Sequence, residues 1–241
     1  MIDRAAMRWT GRDDGPEPEH FRWHHVVNAA GADAPAAIIG FASDEGVRRN
    51  QGRLGAAEGP LALRGMLANL ADPEREVVDV GDVVVADADL EGGQQRLADE
   101  VGAVLARGAL PIVLGGGHAV AYGSGSAWVR RDETWGVLNL DAHLDLRQAP
   151  RATSGTPFRQ LADDLEAAGK PFHYSVIGLS RPSNTRALLD TAERLGVEIL
   201  YDTDTGVGSA LAAAQALLAK VDRVHLTLDL DVLPASVAPG V

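Results

Sequence analysis

The sequence predicts an α/β fold built on a parallel sheet that helices cover on both faces. From residue 36 onward, short β-branched segments alternate with Ala- and Leu-rich segments that have helical spacing. Strands and helices that alternate with short connections are typical of parallel strands joined by crossover helices. The 241 residues, 46% of them hydrophobic, are enough for one large domain with its own core.

Residues 1–35 are expected to form an irregular N-terminal arm, because Gly15, Pro16 and Pro18 interrupt every periodic pattern there. This arm has no apolar segment of the kind found in secretory signals, and no apolar run in the chain is long enough to cross a membrane. We therefore expect a cytoplasmic protein, with residues 36–241 as a single domain.

Seven segments after the arm have the short, apolar and β-branched character of buried strands. In chain order they are Ala36–Ala42, Val77–Val85, Leu110–Leu114, Gly136–Leu140, His173–Leu179, Val197–Tyr201 and Arg223–Leu230. Between them, six segments repeat Ala and Leu at the intervals of a helix with one apolar face. These are Leu61–Leu70, Leu90–Arg107, Val120–Arg130, Phe158–Ala168, Asn184–Leu195 and Ser209–Ala219.

Composition narrows the possible functions. The 22 basic and 34 acidic residues give a net charge of −12, which would repel nucleic acid and anionic membranes, so we expect a small-molecule substrate as the partner. The chain has no cysteine, which excludes disulfides, a thiolate nucleophile and sulfur ligation of a metal. Any metal must be held by histidines and carboxylates.

Three strand ends carry side chains that can bind a metal, and ligands of parallel sheets bind beyond such ends. At the first, the glycine turn 115–117 leads to His118. By itself this residue is as likely to be a core or helix-start histidine as a metal ligand. At the second, Asp141, His143 and Asp145 follow an apolar strand at alternate positions, so an extended chain would aim them to one side.

The third strand end places Thr227, Asp229 and Asp231 on one face and three leucines on the other, which we expect to be core. His225, in the same segment, is expected to be a core histidine. Two neighbouring aspartates at the end of a buried strand are costly to desolvate unless a cation lies between them.

Together the three ends offer four carboxylates and two imidazoles, which exceeds what one ion needs. Two divalent cations would balance the four aspartates, and oxygen-rich ligation favours Mn²⁺. Such a pair generates a nucleophile from water, so the residues predict metal-assisted hydrolysis. The predicted ligands are His118, Asp141, His143, Asp145, Asp229 and Asp231.

These motifs resemble the metal-binding motifs of the arginase/agmatinase (ureohydrolase) family: Gly-Gly-x-His, Asp-Ala-His-x-Asp, and Asp-x-Asp followed by Ala-Pro-Gly. Residues 52–60 are similar to the family's N-terminal loop, so the likeness spans about residues 38–241. It implies a three-layer α/β/α fold with a mainly parallel sheet, two Mn²⁺ ions per subunit, and hydrolysis of a guanidino or formimidoyl C–N bond.

The resemblance also implies a role for each ligand. One ion would bind His118, Asp141, Asp145 and Asp229, and the other His143, Asp141, Asp229 and Asp231. Asp141 and Asp229 would bridge the two ions. Asp145 would also be catalytic, because it would accept a hydrogen bond from the bridging hydroxide and orient it toward the substrate.

Departures from arginases indicate the formimidoylglutamase branch. Arg147 stands where arginases have Asn, Phe158 where they carry a proton-shuttling His, and residues 231–234 differ from the agmatinase pattern. An arginine near the metals suits a dicarboxylate substrate, although Arg147 could also be a simple surface charge. The resemblance implies that Arg147, Ser154 and Asn184 bind the substrate.

We therefore expect a hydrolase that converts N-formimidoyl-L-glutamate to L-glutamate and formamide in histidine degradation, acting as a homo-oligomer. The alternatives are a hydrolase of another guanidino or formimidoyl acid or amine, and a metal-binding but inactive subunit. Family members continue through a further strand and helices after the motif that ends this chain, so we expect the C-terminal part of the fold to be missing from this sequence.

Overall fold

The computed structural model describes residues 1–29, 34–71 and 75–239. The chain divides into two compact units. Unit 1 comprises Met1–Ala127 with Ala152–Ser154, and unit 2 comprises Trp128–Arg151 with Gly155–Val241. Gly240, the last residue of the third motif, and Val241 lie outside the described residues.

Unit 1 contains a four-stranded sheet in the order β1-β3-β2-β4, in which every neighbouring pair is parallel. Its strands are β1 (Val27–Ala29), β2 (Ala36–Ala42), β3 (Val77–Val84) and β4 (Leu110–Leu114). Its helices are α1 (Trp23–Val26), α2 (Glu45–Arg49), α3 (Gly59–Leu67), α4 (Leu90–Ala106) and α5 (Val120–Ser126).

The core of unit 1 forms where α4 packs against the sheet. Ile39 and Phe41 of β2, Val83 of β3, and Leu97 and Val101 of α4 are buried in one cluster. β2 lies between β3 and β4, and its residues 37–42 are all buried. This continuous apolar run matches the pattern expected of a central parallel strand.

The N-terminal arm contains more structure than the sequence predicted, since α1, β1 and a 3₁₀ turn at Pro18–His20 lie within it. Two buried carboxylates of β3 hold part of this arm. The backbone of Arg4 forms an antiparallel β-bridge with that of Asp82, and the two side chains form an ion pair. The indole N–H of Trp9 donates to the carboxylate of Asp79 at 2.8 Å. These are distant side-chain contacts, which local periodicity does not reveal.

Unit 2 contains a second parallel sheet in the order β7-β6-β5-β8. Its strands are β5 (Trp135–Leu140), β6 (His173–Leu179), β7 (Glu198–Tyr201) and β8 (Arg223–Leu228). Its helices are α6 (Pro157–Ala167), α7 (Arg186–Arg194) and α8 (Val207–Leu218). The predicted α/β class with parallel strand pairing is confirmed, whereas the single domain over residues 36–241 stays a prediction.

β8 differs from its prediction in length and in burial. The strand ends at Leu228, and residues 230–232 form a 3₁₀ turn. The expectation that its leucines are core is wrong: Leu226, Leu228 and Leu230 are 64%, 56% and 46% exposed. Among the described residues, β8 pairs only with β5 and is the last strand in the order of its sheet.

Among the helices of the described part of the chain, none combines the length and apolar character needed to cross a membrane.

Candidate metal centre

The second and third motifs meet because β5 and β8 are neighbours in the sheet of unit 2. Leu140 pairs with Leu228 at the carboxyl ends of these strands, so Asp141 and Asp229 leave the sheet side by side. The backbone N–H of Asp229 continues the ladder by donating to the carbonyl of Leu140 at 2.9 Å. Parallel pairing therefore brings together two motifs separated by more than eighty residues.

Three side chains beyond these strand ends form the Asp141–His143–Asp231 cluster, with one ligand atom of each lying within 4.8 Å of the others. Nδ1 of His143 is 2.8 Å from Oδ2 of Asp231 and 3.6 Å from Oδ1 of Asp141. Asp141 is buried, while the imidazole is about a third exposed. An imidazole beside two carboxylates is a ligand set that Mn²⁺ and similar divalent ions accept.

The electrostatics of the cluster fit a cation. Without a metal ion, the carboxylates of Asp141 and Asp231 raise the pKa of the His143 imidazole to about 10. A single imidazolium leaves two partly or fully buried carboxylates with excess negative charge, which is unfavourable in a medium of low dielectric. A divalent ion would neutralise this charge and bind the deprotonated imidazole.

Asp145 has an unusual backbone and lies close to Asp141. Its φ of 48° is in the left-handed region, which non-glycine residues seldom adopt and which is often found at functional sites. A carboxylate oxygen of Asp145 lies within 4.8 Å of one of Asp141. The carbonyl of Asp145 accepts a hydrogen bond at 3.2 Å from the N–H of Phe158, in the first turn of α6.

Asp231 reaches the cluster from a turn, which corrects the prediction that Asp229 and Asp231 share one face of a strand. Oδ1 of Asp229 accepts a hydrogen bond from the N–H of Asp231 at 3.2 Å, and this contact starts the 3₁₀ turn. Oδ1 of Asp231 then accepts from the N–H of Ala142 at 3.2 Å. An aspartate side chain that accepts a hydrogen bond from a nearby backbone N–H favours a turn over a strand. Strand periodicity cannot indicate such a local contact.

His118 and Ser154, two further residues that the sequence assigned to the site, belong to unit 1. His118 is buried directly after the glycine turn that follows β4, and its carbonyl accepts a hydrogen bond from Ala121 at 3.0 Å. The N–H of Ser154 donates to the carbonyl of Gly46 at 3.0 Å. Their roles as metal ligand and substrate contact stay predictions.

Arg147 and Asn184 belong to unit 2. Arg147 is exposed, and its backbone N–H donates to the carbonyl of Gly155 at 2.9 Å. Asn184 is buried, and its side chain bonds to the backbone of Ala142 and Leu144. Their roles in substrate binding stay predictions.

Two residues beneath the cluster were not identified from the sequence. Nδ2 of Asn139 donates to Oδ2 of Asp141 and to the hydroxyl of Tyr174, both at 3.0 Å. That hydroxyl donates in turn to the carbonyl of Leu144 at 3.0 Å. Burial and the nearby Asp141 carboxylate raise the pKa of Tyr174 well above its usual value, so the phenol stays protonated. The sequence does contain one indication of this contact, because Asn139 is a polar residue inside the apolar strand β5, two residues before Asp141.

The sequence of this chain is similar to those of known proteins of one family. The Arginase family model matches residues 34–241. A formimidoylglutamase of Nocardia farcinica is 52% identical over 247 residues, covering 99% of this chain and 79% of the relative. A formimidoylglutamase of Chromobacterium violaceum is 54% identical over 251 residues, covering 100% of this chain and 80% of the relative.

A solved structure supports the same assignment. The Trypanosoma cruzi formiminoglutamase, crystallised with Mn²⁺, has a TM-score of 0.77 to this chain and 32% identity, covering 87% of this chain and 74% of that one. The expected arginase-like α/β fold and the expected likeness to formimidoylglutamases, which are metal-dependent hydrolases, are therefore confirmed. On the strength of the family match across residues 34–241 and of these relatives, the chain belongs to the arginase family.

Proposed function

We propose that this protein hydrolyses N-formimidoyl-L-glutamate to L-glutamate and formamide, as a step of histidine degradation. The observation that supports the proposal most is the identity above 50% with formimidoylglutamases of two bacteria over almost the whole chain. The Asp141–His143–Asp231 cluster supports it chemically, because a carboxylate and imidazole site is what a hydrolase that uses metal-activated water needs.

We propose that two Mn²⁺ ions bind each subunit. His118, Asp141, Asp145 and Asp229 would hold one ion, and His143, Asp141, Asp229 and Asp231 the other. The Mn²⁺ in the crystals of the Trypanosoma cruzi relative and the absence of cysteine from this chain support manganese. When bound, the ions supply Lewis acidity, which favours ionisation of water near neutral pH and stabilises negative charge.

The reaction adds water across the C=N bond of the formimidoyl group. The water oxygen bonds to the formimidoyl carbon, and one water proton goes to the imino nitrogen, which becomes the amide nitrogen of formamide. The bond from the carbon to the glutamate nitrogen then breaks, and this nitrogen takes the second water proton as it leaves. Asp145 would accept a hydrogen bond from the attacking water, which aims the oxygen lone pair at the carbon. Its left-handed backbone, held by the contact with Phe158, fixes the direction in which its carboxylate leaves the chain.

Arg147 would bind a carboxylate of the substrate. It is exposed two residues after Asp145, and a guanidinium holds a carboxylate through paired hydrogen bonds. Ser154 would supply a hydroxyl to the same substrate. The resemblance also assigns Asn184 to substrate binding, but the contacts of its side chain favour a role in holding the metal ligands.

Substrate profiling of the reloaded enzyme tests the proposal. The protein is treated with a chelator, reloaded with Mn²⁺, and assayed for products from N-formimidoyl-L-glutamate, N-formimidoyl-L-aspartate, agmatine and arginine. We expect Mn²⁺-dependent release of formamide with a clear preference for the glutamate derivative. Preference for another compound would favour the related hydrolases, and Mn²⁺ binding without turnover of any of them would indicate an inactive subunit.

We further propose that the protein works in the cytoplasm as a homo-oligomer and binds neither nucleic acid nor membranes. The net charge of −12 supports the lack of affinity for nucleic acid and anionic lipid.

A further inference from the structure

The side chain of Asn184 forms hydrogen bonds with the loop that carries the candidate metal ligands. Its Oδ1 accepts a hydrogen bond from the N–H of Leu144 at 3.0 Å, and its Nδ2 donates to the carbonyl of Ala142 at 2.9 Å. These atoms belong to the two peptide groups on either side of His143. Asn184 therefore restrains the backbone torsions of His143 without touching its imidazole.

The same amide ties this loop to the end of β6. Nδ2 of Asn184 also donates to the carbonyl of Ser180 at 2.9 Å, and the N–H of Ser180 donates to the carbonyl of Ala142 at 3.0 Å. Asn184 follows the 3₁₀ turn Arg181–Ser183, so a short segment after β6 presents the amide to the loop after β5. The register of the β5–β6 pair then sets where His143 lies.

An asparagine suits this place chemically. The site needs one acceptor, for the N–H of Leu144, and two donors, for the carbonyls of Ala142 and Ser180, on a single planar group. An amide offers both, whereas a carboxylate would set its oxygens against those two carbonyls. Asn184 is buried, and both N–H groups of its amide donate to backbone carbonyls. These hydrogen bonds therefore stabilise the protein backbone rather than bind a ligand.

We propose that Asn184 is a positioning residue of the metal centre, which holds the His143 imidazole in reach of the Asp141 and Asp231 carboxylates. Asn139 of β5 and Tyr174 of β6 support the same loop, at Asp141 and Leu144. Groups that orient metal ligands in this way typically change metal affinity about 10- to 100-fold when removed. The inference rests on the proposed metal site but is independent of the substrate.

Manganese affinity tests the inference without any substrate. Calorimetric titration of chelator-treated protein with Mn²⁺ is compared for the wild type, Asn184→Ala and Ser183→Ala. Ser183 is the exposed neighbour in the same turn and serves as the matched control. We expect Asn184→Ala to bind Mn²⁺ about 10- to 100-fold more weakly, with an unchanged far-ultraviolet circular dichroism spectrum, and Ser183→Ala to match the wild type.

A double-mutant cycle separates positioning from general stability. In a His143→Ala background, removal of Asn184 should weaken Mn²⁺ binding little further, because the ligand it positions is already gone. If Asn184→Ala does not fold, Asn184→Ser enters the same cycle with the same expectation. Wild-type affinity in the Asn184 variant, or an equal loss in both backgrounds, would overturn the inference. Failure to hydrolyse N-formimidoyl-L-glutamate would refute the proposed function and leave these binding results intact.

Discussion

Nδ1 of His143 lies 2.8 Å from Oδ2 of Asp231, a residue 88 positions later in the chain. Neither residue is in a strand: one follows β5 and the other lies in the turn after β8. Two parallel strands that end at the same edge of the sheet bring the pair together. The contact links the two candidate metal-binding motifs of unit 2. The proposed metal site therefore depends on the parallel pairing of β5 with β8.

Replacing Asp231 by Asn should remove the ion that it ligates. The amide is neutral and a poorer ligand, so the Mn²⁺ content measured by plasma emission spectrometry should fall from two ions per subunit toward one. The control is Asp190→Asn, an aspartate in α7 whose side chain is 63% exposed. Two tightly bound ions in the Asp231 variant would show that this residue is not a ligand.

Replacing Arg147 by Ala should mainly weaken substrate binding. Loss of a charge-assisted contact to a carboxylate is expected to cost about 2–4 kcal/mol in kcat/KM, largely through a higher KM. Arg186→Ala is the control, since this arginine is 94% exposed on α7. Steady-state kinetics with N-formimidoyl-L-glutamate measure the effect, and unchanged kinetics would assign Arg147 to the surface.

Replacing Arg64 by Met should destabilise unit 1. Arg64 is buried and donates to Asp79 at 2.8 Å and to Asp82 at 2.6 Å, so the substitution would leave two buried carboxylates with fewer partners. Breaking a buried ion pair from one side costs about 3–5 kcal/mol. Urea unfolding measures this, with the exposed Arg107→Met as the control; a loss below about 1 kcal/mol would contradict the expected burial penalty.

Glu45 should contribute stability that depends on pH. Hydrogen bonds from Arg48 and Arg49 lower its pKa from 4.5 to about 2 in the folded protein. Folding therefore favours the ionised form, so the contribution is fully present above about pH 4.5 and is lost as the pH falls toward 2.

Urea unfolding of Glu45→Gln against the wild type between pH 7 and pH 2 checks this dependence. The difference in unfolding free energy should be largest at pH 7 and should shrink below pH 4.5. Glu76→Gln, a change at an exposed position of the same unit, should show no such trend. A difference for Glu45→Gln that stays constant down to pH 2 would contradict the assigned ion pairs.

Much of this architecture could be predicted because local pattern and strand topology agree. β2, β4 and β6 have the bounds that their apolar runs predicted, and the spacing of Asp141, His143 and Asp145 by itself indicated metal ligands. The two parts that were wrong have separate causes. The burial of the β8 leucines depends on what covers the strand, and the turn at Asp231 depends on a side-chain cap.

The side-chain contacts of Asn139, Tyr174 and Asn184 were not predicted, because most of them join residues that are distant in sequence, and the role of Asn184 in substrate binding stays a prediction. Asn139 of β5 donates to the hydroxyl of Tyr174 in β6, and Tyr174 and Asn184 both form hydrogen bonds with the backbone of the loop after β5. The family resemblance assigned Asn184 to substrate binding and did not indicate that its side chain contacts the peptide groups on either side of His143. Residue spacing therefore predicts candidate ligands more readily than the groups that contact the loop carrying them.

A crystal structure of the Mn²⁺-soaked protein, with anomalous scattering recorded at the manganese edge, tests the proposed two-metal site most directly. We predict two peaks about 3.5 Å apart, the separation found in two-metal hydrolytic sites, with Asp141 and Asp229 bound to both ions. A single peak, with the Asp231 carboxylate turned away from it, would contradict the two-metal site on which the proposed hydrolysis depends.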